Sequence, residues 1–130
     1  IKKYKKKLAS SLILLHCVSE YPVPDERAQL NTIKYLKEKF KLTVGYSNHV
    51  KNGILACITA AALGAKVIEF HFTDNKKRKF RDHQLSLDIN DLLKLRNFID
   101  DQNKMLGAVD KKVNKFEKKN KLLFQKGLIY

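Results

Sequence analysis

Apolar and polar positions alternate along the chain in three rounds, each a short hydrophobic run followed by a longer amphipathic stretch. Leu12 to Val18 is a continuous apolar run, the pattern of a strand buried in a parallel sheet. Two-residue periodicity puts Ile13, Leu15, Cys17 and Ser19 on one face, continuing toward Tyr21, and Leu12, Leu14 and His16 on the other. Pro22 and Pro24 end the strand. Pro24 or Asp25 opens a helix with Leu30, Ile33, Leu36 and Phe40 at helical spacing and Lys34, Lys37 and Lys39 turned outward. The second round is a strand over Leu42–Tyr46, then Ser47-Asn48-His49, then an alanine-rich helix from Gly53 to Leu63 stopped by Gly64. The third is a strand over Val67–Phe72, a basic loop from Thr73 to Leu85, and a helix running to about Leu106. Asp88 is placed to cap that last helix, with Asp91 at its N3 position and Leu92, Leu95, Ile99 and Met105 inward. Residues up to about Ala9 are expected to end a helix, and the lysine-rich stretch beyond Gly107 to form a short helix or an irregular tail.

A strand–helix–strand run of this length is a βαβ unit, so the second and third strands should be parallel neighbours. Both His49 and His71 then emerge at the C-terminal edge of one sheet, where parallel α/β folds carry their chemistry. On the third strand Val67, Glu69 and His71 share one face, and Ile68, Phe70 and Phe72 the other. An acid and an imidazole at a strand end leave two readings open. They satisfy each other or lie at an exposed tip, as polar groups commonly do. Alternatively, with His49 on the neighbouring strand, they converge on a divalent metal.

Length and charge narrow the class. A (β/α)8 barrel takes about 250 residues, and these 130 hold three strand–helix units. The chain starts at Ile1 and its single methionine is Met105, so it reads as a piece of a longer product. The net charge of +14 raises nucleic acid as a partner. The lysines, however, fall in short runs (Lys5-Lys6-Lys7, Lys76-Lys77-Arg78-Lys79, Lys118-Lys119) with no nucleic-acid motif and without the interleaved aromatics that a stacking platform requires, which argues for a solvated surface instead. Cys17 and Cys57 sit in apolar runs without metal-ligand spacing and read as buried free thiols of a cytoplasmic protein. No stretch approaches the roughly 20 apolar residues of a membrane span. The basic-then-apolar start, KKYKKKLASSLILL, has the order of a signal sequence, but its apolar part is of strand type and runs into HCVSEYP with no small-residue cleavage site, so that part is assigned to the first strand.

GYSNH at Gly45–His49, then ALGAKVIEFHFT, a DH at Asp82-His83 and SLD at Ser86–Asp88 together resemble the signature of the sialic acid (N-acetylneuraminate) synthase family. LLHCVSEYPVP at Leu14–Pro24 resembles its LLHC-x-x-x-YP segment. Glu117, Asn120 and the final KGLIY echo a pattern that precedes the family's antifreeze-like domain. The resemblance implies an α/β fold, the last three units of a partial (β/α)8 TIM barrel over residues 1–107, with 108–130 a basic tail leading toward an antifreeze-like domain. It implies an enzyme that condenses phosphoenolpyruvate with an N-acyl hexosamine such as N-acetylmannosamine, giving a nine-carbon 2-keto sugar acid and phosphate in surface-polysaccharide biosynthesis. Full-length members are expected to be homodimers. By motif, His49 and His71 would be ligands of Mn2+ or Mg2+. Ser47 and Ser19 would contact phosphoenolpyruvate, Ser47 donating to a phosphate oxygen. Tyr21 and Asp82 would contact the sugar, and Glu69 would act beside the metal. Four departures stand out: Asn48 replaces an Asp whose charge could set the tautomer of His49, Phe70 replaces a Lys, Ser19 replaces an Asn, and Lys79-Phe80-Arg81 replaces a Pro-Gly-Pro-like turn before Asp82. The competing readings are a pseudaminic or legionaminic acid synthase fragment, and a non-catalytic remnant whose basic surface binds polyanions.

Overall fold

Three apolar runs become three strands of one parallel sheet in the order β1 (Ile13–Cys17), β2 (Thr43–Asn48), β3 (Ile68–Phe70). A computed structural model describes residues 11–79, 82–110 and 112–124. The helix end expected before Ala9, Phe80-Arg81 of the basic loop and the terminal KGLIY segment lie outside the described residues. The helices are α1 (Thr32–Phe40), α2 (Gly53–Ala62), α3 (Ile89–Leu106) and α4 (Lys115–Phe124). In register, Cys17 lies opposite Ser47 and Ser47 opposite Glu69, while His16 lies opposite Tyr46 and Tyr46 opposite Ile68.

The two faces of the sheet differ. Val44, Tyr46 and the fully buried Asn48 point to the helix side, where Ile33, Val50, Ala56, Cys57, Ala60 and Leu95 complete the core. Alanines on α2 suit this role because their small side chains let helix backbone approach the sheet. On the other face Ile13, Leu15 and Val67 remain 45%, 37% and 36% exposed. Gly45 is squeezed between its neighbours there: a Cβ would lie 2.5 Å from Leu15 Cδ2 and 2.5 Å from the Val67 carbonyl oxygen. Only glycine fits so close an approach.

α3 begins as the sequence predicts. Asp88 accepts from the Asp91 N–H at 2.9 Å and the Asp91 carboxylate accepts from the Asp88 N–H at 3.2 Å, a reciprocal cap. Lys76 binds Asp91 and lies 3.4 Å from Asp88, tying the basic loop to the helix start.

Other expectations are corrected. No helix opens at Pro24 or Asp25. A 3-10 turn at Asp25–Arg27 is followed by Gln29 with φ +47°, and α1 starts only at Thr32. The buried His16 takes the Ala28 carbonyl at 2.8 Å, so that carbonyl does not continue a helix. β3 is shorter than expected because the sheet divides at its end. Val50 pairs with Val23, and Phe72 with Leu87, so β2 and β3 part company beyond Asn48 and Phe70. Cys57 is fully buried but Cys17 is exposed, because it lies on the uncovered sheet face. Met105 is 81% exposed, past the last turn of α3 that meets the core. No helix of the described residues is long and apolar enough to cross a membrane.

Candidate active site

The division of the sheet at its C-terminal edge creates the site. His49 follows the last residue of β2 and His71 the last residue of β3, and the diverging backbones leave a cavity of about 220 Å³ lined by Ser47, Asn48, His49, Glu69, Phe70 and His71. The two imidazole rings lie side by side, tilted 44° to each other, with centroids 5.4 Å apart. One step down the strands, the Ser47 hydroxyl donates to Glu69 Oε1 at 2.7 Å. Tyr21 lies against His49 with ring centroids 4.1 Å apart and meets His71 edge-on at 6.1 Å. Asp82 reaches the same place, its Oδ2 3.9 Å from His71 Nδ1. Ser19, by contrast, is exposed and makes no side-chain hydrogen bond among the described residues.

Hydrogen bonding decides which atoms of these groups are available. His49 Nδ1 lies 2.8 Å from the Val18 carbonyl oxygen. A carbonyl only accepts, so Nδ1 carries the proton and Nε2 keeps its lone pair free for a cation or a substrate proton. Cys17 Sγ lies 3.9 Å from the same Nδ1. Asn48 takes no part in this. Its side chain is turned under α2, accepting from Tyr46 Oη at 3.1 Å and from the Val50 N–H at 3.2 Å. The expected loss of a tautomer-setting charge at this position is therefore immaterial here, since a backbone carbonyl does that work. The Tyr46 phenol, buried beside Asn48, has its pKa pushed up by burial and stays a neutral donor. The Ser47 proton is committed to Glu69, so in this arrangement Ser47 offers a ligand its oxygen, not its hydrogen.

Sequence reasoning passed over three contributors. Val18 fixes His49 through a main-chain atom, which no side-chain motif can signal. His16 anchors the loop that bears Tyr21. His83 braces the basic loop through Thr73 Oγ1 at 2.8 Å. His16 was visible as an imidazole inside the first apolar run, on the parity of Leu12 and Leu14.

Among the described residues no group of three or more histidine, cysteine, aspartate or glutamate side chains is gathered as a ready metal cage. The NeuB family pattern matches residues 1–111. The chain belongs to the NeuB family. It is 42% identical over 119 residues to an N,N'-diacetyllegionaminic acid synthase of Campylobacter jejuni, covering 92% of this chain and 35% of that protein. It is 43% identical over 88 residues to a pseudaminic acid synthase from another strain of C. jejuni, covering 68% of this chain and 25% of that protein. Its fold superposes on the N-acetylneuraminic acid synthetase of Leptospira borgpetersenii, crystallised with citrate, with a TM-score of 0.84 and 34% identity over 96% of this chain. The chain spans 44% of that structure, so in length it corresponds to a part of each of these relatives.

Proposed function

We propose that this chain forms one wall of the active site of a synthase that joins phosphoenolpyruvate to an N-acyl hexosamine, giving a nine-carbon 2-keto sugar acid and phosphate. Its three strand–helix units are the last three of a (β/α)8 barrel in a cytoplasmic biosynthetic enzyme. The observation that carries this reading is the pair of imidazoles, His49 and His71, 5.4 Å apart at the strand ends. Family membership supports the same reaction class, since the relatives are named as synthases of legionaminic, pseudaminic and N-acetylneuraminic acids.

The chain's own residues fit a divalent cation, Mn2+ or Mg2+. His49 has its Nδ1 proton tied to a carbonyl and its Nε2 free, and the His71 ring lies 5.4 Å away, so two imidazole donors are on hand. Two protein donors leave room for water and substrate oxygens. When bound, such an ion supplies Lewis-acid polarisation of the aldehyde oxygen while the weakly nucleophilic enol carbon attacks. Tyr21 covers the pair from the solvent side and offers its ring and hydroxyl to the sugar. Asp82, beside His71, accepts from sugar hydroxyls. Ser19, exposed two residues before Tyr21, contributes to the phosphoenolpyruvate edge. Glu69 holds the Ser47 hydroxyl; when a phosphate oxygen accepts that hydrogen bond instead, Glu69 is released to orient water or substrate.

Calorimetric titration of the chain with Mn2+ tests the assignment. Binding that is lost in both His49→Ala and His71→Ala supports it; equal affinity in wild type and both variants overturns it. The single chain is expected to release no phosphate from phosphoenolpyruvate and N-acetylmannosamine, because three units are a wall and not a closed barrel. In the protein that completes the barrel, offering several hexosamines and identifying the product separates the neuraminic, legionaminic and pseudaminic reactions. Steeply salt-dependent nucleic-acid binding without Mn2+ affinity would favour the polyanion-binding remnant instead.

A further inference from the structure

We infer that His16 is a positioning residue for the imidazole pair: through the Ala28 carbonyl it holds the 18–28 loop across the sheet edge, so that Tyr21 stays against His49. What the pair then does rests on the function proposed above; the placement of Tyr21 does not.

The segment between β1 and α1 has to cross the C-terminal edge of the sheet to reach the helix layer. It is held at three points. The Val18 carbonyl accepts from His49 Nδ1, and the Val23 N–H donates to the His49 carbonyl at 2.8 Å, so two of the three anchors are His49 itself. The third is His16, whose Nε2–H donates to the Ala28 carbonyl at 2.8 Å. Tyr21 lies inside the span that these anchors close. The remaining brace, the Arg27–Glu20 ion pair, is solvent-exposed on both sides, and such pairs contribute little. The Ala28 carbonyl needs its partner because the left-handed Gln29 turns the chain away before a helical N–H can reach it. A buried backbone carbonyl left unpaired is rarely tolerated.

His16 is also well held at its own end. It is 6% exposed and stacks on Tyr46 at 5.9 Å, so its ring is fixed by the same helix-side core that fixes β2. The imidazole thereby carries order from the core to a loop whose reactive-site residue, Tyr21, is 54% exposed and has no burial of its own to hold it.

Proton NMR of the full chain reads the placement directly, because an aromatic ring 4.1 Å from His49 displaces the His49 ring protons upfield. Tyr21→Leu calibrates the signal by abolishing it. A glutamine amide nitrogen reaches about as far as Nε2, whereas an asparagine amide falls short. His16→Gln is therefore expected to keep the upfield displacement and His16→Asn to lose it, with helix content by circular dichroism unchanged. Mn2+ affinity should follow, falling roughly tenfold in the Asn variant, as for loss of an outer-sphere partner. A purely core-packing role for His16 would lower melting temperature in both variants and leave the His49 signals in place, and that result overturns the inference. Should the substitutions unfold the chain, the wild type decides: slow exchange of the His16 Nε2 proton is expected, and fast exchange overturns it. Retained ring-current shifts with no Mn2+ binding in any form would leave the positioning intact and count against the metal reading alone.

Discussion

The two ends of the sheet invite comparison, since each opens into a cavity and the larger one is at the end without the imidazoles. At the N-terminal edge a space of about 710 Å³ is lined by Lys34, Lys37, Lys41, Lys66 and Glu38 around Thr43 and Val44. At the C-terminal edge the cavity is about 220 Å³ and is lined by Ser47, His49, Glu69 and His71 with Asn48 and Phe70. The lysines cluster where α1 and α2 end, and helix C-termini attract cations through their unpaired carbonyls. Ammonium groups there complement the helices and keep the surface solvated. The smaller cavity holds groups with defined protonation: an imidazole with one nitrogen committed, and a hydroxyl spent on a carboxylate. Volume is a poor guide to chemistry here, and the direction of the strands is a good one.

The sharpest way to break that comparison is to exchange the ends. His49→Ala or His71→Ala should remove Mn2+ binding altogether, while Lys37→Ala or Lys66→Ala should leave it unchanged, all four measured by the same calorimetric titration. Metal affinity that fell in the lysine variants and survived in the histidine variants would relocate the site to the other edge.

How much of this contrast is legible in the sequence depends on the kind of contact involved. The strand ends were legible because Leu42–Tyr46 and Val67–Phe72 switch from apolar to polar at His49 and His71, and parity alone put Glu69 and His71 on one face. The α3 start was legible because Asp88 and Asp91 have capping-box spacing, and the cap is formed. The start of α1 was not. Its delay to Thr32 follows from a side chain twelve residues earlier taking the Ala28 carbonyl, a long-range bond that periodicity does not encode. Asn48 differs: the motif sets it beside His49, but the strand's own alternation, on the parity of Val44 and Tyr46, turns it into the core.

The two sheet faces give the next largest contrast. Cys57 on the helix side is fully buried, and burial pushes its thiol up to about 12, whereas Cys17 on the opposite face is exposed. Iodoacetamide at about pH 8, where a thiolate is required for attack, should label Cys17 in the native chain and reach Cys57 only after unfolding. Peptide mass spectrometry reads this; native labelling of Cys57 would mean that the α2–sheet packing is not as described.

Gly45 tests the uncovered face in another way. Its neighbours Leu15 and Val67 are partly exposed, so one side of the clash can move, but the Val67 carbonyl is backbone and accepts from the Tyr46 N–H at 2.9 Å. Gly45→Ala is therefore expected to cost about 1–3 kcal/mol, the range for overpacking, read by urea denaturation. A neutral effect would show that β1 and β3 are free to shift around β2.

The smallest expected effect concerns the one cap that both sequence and structure define. The Asp91 N–H, and after it the Lys76 ammonium, hold the Asp88 carboxyl below its ordinary value of 3.8. A carboxylate whose folded pKa is depressed contributes stability that is present above the unfolded value, about 3.9, and is lost as pH falls through the folded one. Asp88→Asn keeps an acceptor for the Asp91 N–H and removes the titrating group, so its melting temperature at neutral pH should lie only slightly below wild type. On acidification below about pH 4 the wild type should lose stability more steeply than the variant, and the two curves should converge. Lys76 works on the opposite limb: bonds to Asp91 and then Asp88 raise its pKa, so its contribution is present below the ordinary lysine value and disappears only as the solution becomes strongly alkaline. Parallel acid limbs in wild type and Asp88→Asn would mean that the cap acts through geometry alone and that the charge at the start of α3 contributes nothing.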